Sequence, residues 1–507
     1  MAKKYFIGID IGTTFLKVGV YDLKGNLISY YDSGINLYNP KENEYYQDPE
    51  EFYLKTINSI KKCIVEKSIE SNQIKCISLD GQMGGILAID KNYNPVIYYD
   101  LGIDNKAKKY SFLLNEKNFD YIYNKTGCRS TYGQKIIYWS NNKKINKKIY
   151  KFIHIADYVS GKMCGVKPDN AFMNFSYLCW SGLCNGEKLN WSKEICNKFN
   201  IDMNKLPRIV EAFNIIGRLD RKHAELTGLK EGTPLVAGGG DGSVMLMGAG
   251  INKPGKIAVI LGTAEGTNYS IEGMVKNSKL KLNNQYSIFR NLKFLQSYDL
   301  GGLTHSWFAK SLIGDVSIDK ALFELDKKIS NIPPCSEKLL FLPIFQNLIR
   351  TQNQYKKGAW IGLNLNHKIE HLYKSTLESI AFTRYLEFIN IMKACKLDIN
   401  KEAEIILIGG GAKSNIWSQI HADIFGKKVQ RYTRNDFSTL GSAFIAAKGI
   451  EEINDISISI DNALIKRPYD YPEMKKHKKY KEFIKIFSFA LDKTEEIFKK
   501  LNKFNIN

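Results

Sequence analysis

The sequence predicts an α/β protein made of two related halves. Three observations carry that prediction. The 507 residues exceed what one hydrophobic core organises, which points to two or three domains. Apolar strand-like runs repeatedly end in glycine-rich turns that lead into helices, the pattern of layered α/β architecture. The opening hairpin pattern, Ile9-Asp10-Ile11-Gly12-Thr13-Thr14, returns in degenerate form as Val259-Ile260-Leu261-Gly262-Thr263-Ala264. A repeat so far apart suggests two copies of one fold.

The first hairpin runs from Tyr5 to Asp22, with β-branched and aromatic runs on either side of Gly12-Thr13-Thr14. Asp10 closes its first strand. A glycine, two hydroxyls and Lys17 follow. Backbone N–H groups, hydroxyls and an ammonium hold phosphate, and a carboxylate among them is tolerated when a divalent cation lies between. The plainer alternative is an ordinary surface turn. Leu23-Lys24-Gly25-Asn26-Leu27 is a second turn, so the start reads as an antiparallel meander. Asp48-Pro49 signals a helix start, and Phe52, Ile57, Ile60 and Ile64 give that helix a core face.

A strand over Ile74–Leu79 delivers Asp80-Gly81-Gln82-Met83-Gly84-Gly85. Ligands in open α/β sheets bind beyond the carboxyl ends of strands. Gln82 can hydrogen-bond a polyol hydroxyl and Met83 can pack on a carbon skeleton, although a tight turn needs neither. Helical pieces are expected near Lys135–Trp139 and Ala156–Val159, in an aromatic-rich insertion. Trp139, Trp180 and Trp191 could line a sugar site, but tryptophan is more often core. Further on, Pro234–Gly240 runs through three glycines to Asp241. A rigidly held carboxylate at a strand tip suits a general base. An N-cap role for Asp241 would leave the three glycines unexplained.

In the second half, Ile405–Ile408 is a buried strand ending in Gly409-Gly410-Gly411, and Ser414 is positioned to cap the next helix. The spacing is not that of a dinucleotide fingerprint. It reads as a shelf on which backbone lies flat against a base or ribose. Leu440-Gly441-Ser442-Ala443 belongs to another closely packed helix nearby, and Met474–Asn507 reads as a charged amphipathic helix on a solvated face.

The bulk composition excludes several classes. Hydrophobic residues make up 44%, against extensive disorder. No apolar run reaches the ~18 residues that span a bilayer. Met1-Ala2-Lys3-Lys4 leads directly into a strand with no apolar leader, so the expectation is a cytoplasmic protein without a membrane role. The nine cysteines are scattered without metal-ligand spacing, as reduced thiols would be. The net charge of +21 is spread along the whole chain, so it reads as composition and solubility, not as a nucleic-acid track.

Taken in order, these motifs resemble the FGGY carbohydrate kinases, of the actin–Hsp70–hexokinase superfamily, over nearly the whole chain. Asp10-Ile11-Gly12-Thr13-Thr14 is similar to the first phosphate motif, and Gly81-Gln82-Met83 to the sugar motif of xylulokinase-like members. Gly240-Asp241 is similar to the catalytic aspartate segment, and Gly262-Thr263 to the second phosphate motif. Gly409–Ser414, with Trp417 and Gln419, is similar to the adenosine motif.

The resemblance implies two ribonuclease-H-like domains, here residues 1–250 and 251–507, with a central cleft for ATP, Mg²⁺ and a small sugar or polyol. It implies Asp241 as catalytic base and Asp10 as the metal's carboxylate. Phosphate and nucleotide would fall to Gly12, Thr13, Thr14, Gly262, Thr263, Gly410, Gly411, Ala412 and Asn415, with Lys17 a weaker candidate. The acceptor would fall to Gln82, Met83, Asp100 and Asp241. A homodimer is common in the family. Three departures concern the acceptor: Gly84 stands where a histidine is usual, Tyr98–Gly102 lacks the usual arginine, and Pro343–Ile349 lacks the usual Glu-Arg. The expectation is therefore a kinase whose acceptor, a ketopentose or another ketose or polyol, stays open. A sugar-independent ATPase switch of the same superfamily is the rival.

Overall fold

A computed structural model describes residues 3–41, 44–262, 265–280, 282–299, 301–312, 318–343, 357–399 and 404–504. Thr263, Ala264 and the segment 344–349 therefore lie outside the described residues. The chain divides into two units. One comprises Met1–Pro254, Ser270–Leu295 and Asp436–Ile465, and the other Gly255–Tyr269, Gln296–Asn435 and Lys466–Asn507.

The first unit is built on the expected meander. β1 (Tyr5–Ile11), β2 (Phe15–Tyr21) and β3 (Leu27–Gly34) pair antiparallel in sequence. α1 (Pro49–Glu66) starts where the sequence signals it: the Asp48 side chain accepts from the Glu50 N–H and Pro49 fills the first turn. Its apolar stripe of Phe52, Ile57, Ile60 and Ile64 is buried against β2 and β3. β4 (Ile74–Gly81) then returns parallel to β1. β5 (Ile215–Arg218) and β6 (Pro234–Gly240) complete the sheet, whose order is β5-β6-β4-β1-β2-β3, with β6 parallel to β4. α2 (Asp241–Gly248) leaves directly from the tip of β6.

The second unit repeats the core of this topology. β7 (Ile257–Leu261) pairs antiparallel with β8 (Glu265–Glu272) and parallel with β9 (Glu404–Ile408), beyond which lies β10 (Lys428–Gln430). The order β8-β7-β9-β10 matches β2-β1-β4-β6, strand for strand and direction for direction. Two helices, α3 (Ile369–Cys395) and α4 (Asn415–Phe425), pack on each other in this unit.

Two elements depart from the sequence reading. α5 (Phe437–Gly449), expected near the glycine shelf, belongs to the first unit and lies on β1. Its close approach depends on missing side chains: a Cβ at Gly8 would sit 1.8 Å from the Thr439 carbonyl oxygen, and one at Gly248 2.1 Å from that of Phe437. α6 (Met474–Lys503) is one continuous helix, and it is more than a solvated face. Tyr480, Ile484, Phe487 and Phe498 are buried, and the Tyr480 hydroxyl donates to the Glu378 carboxylate of α3 at 2.6 Å. Among the described residues no helix is long and apolar enough to cross a membrane. All nine cysteines are free thiols.

Backbone-to-backbone contact at Gly8 leaves no side chain that could move aside. We expect Gly8→Ala to destabilise the protein by at least about 2 kcal/mol, as overpacking of a closed core does, read as a lowered urea midpoint.

Candidate active site

The parallel register of the first sheet sets three carboxylates side by side. Asp10 pairs with Asp80, Asp80 pairs with Gly239, and Gly81 pairs with Gly240, one residue before Asp241. All three acids thus stand at the carboxyl ends of adjacent strands. Sequence reasoning found Asp10 and Asp241 but missed Asp80, because the pairing of β4 with β1 is what brings it there.

Asp10 is buried, and Lys17, its partner across the hairpin, donates to Oδ2 at 2.9 Å. Asp10 in turn raises the Lys17 ammonium above its ordinary pKa, against the lowering effect of burial. Asp80 is wholly buried. Ser442 of α5 bonds its Oδ2 at 2.5 Å, while Oδ1 is buried with no hydrogen-bond partner among the described residues. Burial and then Asp10 hold the Asp80 carboxyl well above the usual carboxylate range, and Ser442 opposes them.

Asp241 is the first residue of α2, and Gly240 occupies the N-cap position, so the capping alternative does not apply. Burial, then the charge of Asp10, pushes the Asp241 carboxyl up to about 7, with the Gly242 N–H, 2.6 Å from Oδ1, and Lys17 pulling it down. Two of the three glycines before it have separate reasons. Gly238 has φ +69°, and a Cβ there would lie 1.8 Å from the Leu79 carbonyl oxygen. The Gly240 N–H donates to the Ser176 hydroxyl, and a Cβ on Gly240 would sit 2.6 Å from Met83 Cε. Met83 therefore packs immediately beside the base of Asp241.

The hairpin turn closes through the Gly12 N–H to the Phe15 carbonyl at 3.1 Å, which leaves Thr13 and Thr14 exposed at its tip. The Thr13 hydroxyl donates to Gln82 Oε1 at 3.1 Å, and Gln82 Nε2 donates to Gln47 Oε1 at 2.9 Å. Gln47 Nε2 returns to the Thr13 carbonyl at 2.7 Å. Gln82 is thus engaged at both ends and ties the phosphate-type turn to the loop after β4. Asp100 is likewise engaged: Trp139 Nε1 donates to Oδ2 at 2.6 Å, and Lys106 is bonded to Oδ1. Lys106 also faces Asp104 at 3.6 Å, and Lys135 Nζ donates to the Asp100 carbonyl at 3.3 Å.

In the second unit β7 ends at Leu261, Gly262 follows it, and Thr263 lies outside the described residues. The turn after β9 is shaped by two glycines. Gly409 has φ +96°, with the Leu261 carbonyl 2.5 Å from where a Cβ would be, and a Cβ on Gly411 would strike Trp417. Gly410 is exposed and faces open space. Ser414 caps α4 by accepting from the Trp417 N–H at 3.1 Å and anchors to Asp326 at 2.6 Å. Arg431, missed in the sequence, holds the turn from beneath. Its Nη1 donates to the Ala412 carbonyl and to Asn415 Oδ1, and Asp470 fixes the guanidinium through Nε at 3.0 Å.

The donor chemistry at the first sheet suits a divalent cation. Lys17 is bonded to Asp10 and its charge also acts on Asp80 and Asp241, and among the described residues a buried oxygen of Asp80 lacks a partner. Among the described residues no three His, Cys, Asp or Glu groups meet as a metal cage. Mg²⁺ needs none, since it keeps waters and takes phosphate oxygens with one or two carboxylates.

Two expectations follow. Arg431→Ala strands Asp470 and frees the turn, so it should lower stability by about 3 kcal/mol, the scale for breaking a mostly buried pair, read by urea unfolding. Asp241 has a raised carboxyl, so its stabilising contribution is complete below about pH 4 and is lost as pH rises through about 7. Asp241→Asn should therefore gain melting temperature over the parent, in metal-free buffer, more at pH 8 than at pH 5.

Two family models match the chain: FGGY family of carbohydrate kinases, N-terminal domain, over residues 5–248, and C-terminal domain, over residues 291–450. The chain is 27% identical to the xylulose kinase of Staphylococcus xylosus, over 96% of this chain and 100% of that protein. It is 26% identical to the gluconokinase of Bacillus licheniformis, over 95% and 94%. Among solved structures, the ligand-bound xylulose kinase from Lactobacillus acidophilus superposes with TM-score 0.87 at 21% identity, covering 98% of this chain and 100% of that one. This last likeness is one of fold.

Proposed function

Because this chain belongs to the FGGY family of carbohydrate kinases, we propose that it phosphorylates a hydroxyl of a small neutral ketose or polyol, a ketopentose such as xylulose being favoured, with Asp241 as general base. It is an ATP-dependent sugar kinase, a phosphotransferase with an alcohol as acceptor, and its donor is ATP with Mg²⁺. The observation that carries the proposal is the placing of Asp241: its carboxyl, pushed up to about 7, stands beside the strand tips of Asp10 and Asp80. A base is most effective when its pKa lies near the working pH.

Phosphoryl transfer asks the protein mainly for positioning and charge neutralisation. In our reading the exposed Thr14 hydroxyl takes a phosphate oxygen directly, the Thr13 hydroxyl does so on releasing Gln82, and the Gly12 N–H, bonded to the Phe15 carbonyl, fixes the turn that presents them. Gly262 and Thr263 are assigned the same role in the second hairpin. Asp10 would hold Mg²⁺, which would offset the charge of the donor's phosphates. Lys17 balances Asp10 and contributes positive charge near the phosphates. Asp241 accepts the proton of the attacking hydroxyl. Met83, packed against Gly240, offers an apolar wall to the acceptor's carbon skeleton. The base and ribose lie on Gly410, Gly411 and Ala412, with Asn415 and the carbonyl of Ala412 steadied by Arg431.

A neutral acceptor is favoured over a sugar acid by the charges around Asp100. Lys106 is committed to Asp100 and Asp104, so its charge is already balanced. Asp100 and Gln82, both engaged within the protein, act in this reading by fixing Trp139 and the hairpin turn. We also infer a cytoplasmic enzyme, working as a homodimer without nucleic acid; light scattering tests the dimer.

Purified protein, ATP and Mg²⁺ tested against xylulose, ribulose, erythritol, glycerol and gluconate should give the highest kcat/KM with a ketopentose. A clear preference for gluconate would overturn the acceptor assignment. Asp241→Asn should lower kcat by ~10²–10⁴-fold, the range for a general base, with ATP binding nearly unchanged. Near-normal turnover in that variant would remove Asp241 from the role.

A further inference from the structure

We infer that Asp80 is a second carboxylate of the divalent-cation site, facing the metal beside Asp10. The inference rests on the reading of Asp10 as the cation's carboxylate.

The geometry begins with register. Asp10 and Asp80 are paired residues on adjacent parallel strands. Paired side chains on neighbouring strands project from the same face, at a strand spacing of ~4.8 Å. That face is the one covered by α5, since Ser442 of that helix reaches Asp80 Oδ2 and Thr439 abuts Gly8, two residues before Asp10. The two carboxyl groups therefore share one edge, one face and one covering helix.

The second observation is Oδ1 of Asp80. It is buried without a hydrogen-bond partner among the described residues, on a residue with no exposed surface. Leaving a buried acceptor unsatisfied is costly, and more so for a carboxylate. Ser442 satisfies only the other oxygen. The nearby ammonium, Lys17, bonds Asp10 and keeps a side chain that is 41% exposed. It serves the open side of the pair and leaves the buried side uncompensated. A small hard cation between the strand tips would take Oδ1 and an Asp10 oxygen together, with its other positions filled by water and phosphate oxygens. Two carboxylates are what Mg²⁺ commonly takes from a protein in phosphoryl-transfer sites. The alternative is structural: Asp80 does nothing more than bond Ser442 beneath α5.

Mn²⁺ binding to the full chain without nucleotide or sugar separates the two. Free Mn²⁺ is counted by electron paramagnetic resonance, and melting temperature is read with and without the metal. Asp80→Asn should weaken Mn²⁺ binding by about tenfold or more, the scale seen when a metal site loses a supporting group. It should also raise the metal-free melting temperature and lose most of the rise that Mn²⁺ gives the parent. Asp80→Ser, which is smaller, gives the same reading if the asparagine variant does not fold. Parent-like Mn²⁺ binding in the folded Asp80 variant would overturn the inference, as would failure of the nucleotide-free parent to bind Mn²⁺. Asp10→Asn is the control. Unchanged affinity there overturns the Asp10 reading itself. Weakened binding in Asp10→Asn with parent-like binding in Asp80→Asn overturns only the inference about Asp80.

Discussion

Asp10, Asp80 and Asp241 stand together because β1, β4 and β6 run parallel and in register. Nothing local to any of the three segments would gather like charges at one sheet edge, where they repel through a medium far less polar than water. The surroundings answer that repulsion piece by piece. Lys17 arrives across the first hairpin, Ser442 arrives from α5, and the Gly242 N–H at the start of α2 faces Asp241. What stays unanswered is expressed in the titration of the cluster, with Asp80 and Asp241 both pushed upward. In the proposed reading, a divalent cation and the proton of an acceptor hydroxyl are what such a cluster would take up.

The backbone geometry around the cluster follows from the same need. Gly238 bends the tip of β6 into a left-handed conformation, and Gly240 makes room for Met83. Gly8 lets α5 lie directly on β1 so that Ser442 reaches Asp80. Among the described residues, the equivalent strand ends of the second unit carry no such set of register-paired aspartates. There Gly409 and Gly411 shape a turn over Trp417, and Arg431 braces it from below. One topology, repeated, thus offers an acidic strand end in one unit and a flat, exposed glycine turn in the other.

Much of this could be read from the chain. Hairpins, caps and buried strands have local signals, and the Asp48 and Ser414 caps and the β1–β3 meander formed as their residue types dictate. The repeat was legible because Gly12-Thr13 and Gly262-Thr263 each follow an apolar, β-branched run in the sequence. Features set by distant pairing were not. Asp80 looked like part of a turn until β4 was paired with β1. Arg431 and Asp470, 39 residues apart, meet only through the fold. α5 gave no local sign that it would return to the first unit. Gln82 and Asp100 were assigned to the acceptor in the sequence, but their partners, Gln47 and Trp139, come from elsewhere in the chain.

In the proposed reading this cluster directs the γ-phosphoryl group of ATP to a sugar hydroxyl and away from water. Phosphorus-31 NMR of the protein with ATP, Mg²⁺ and xylulose tests it directly, because sugar phosphate and inorganic phosphate resolve in one spectrum. The account predicts a sugar-phosphate resonance that grows one for one with ADP, with little inorganic phosphate, and almost no ATP turnover when the sugar is left out. ATP consumed to inorganic phosphate at the same rate with or without any sugar would contradict it.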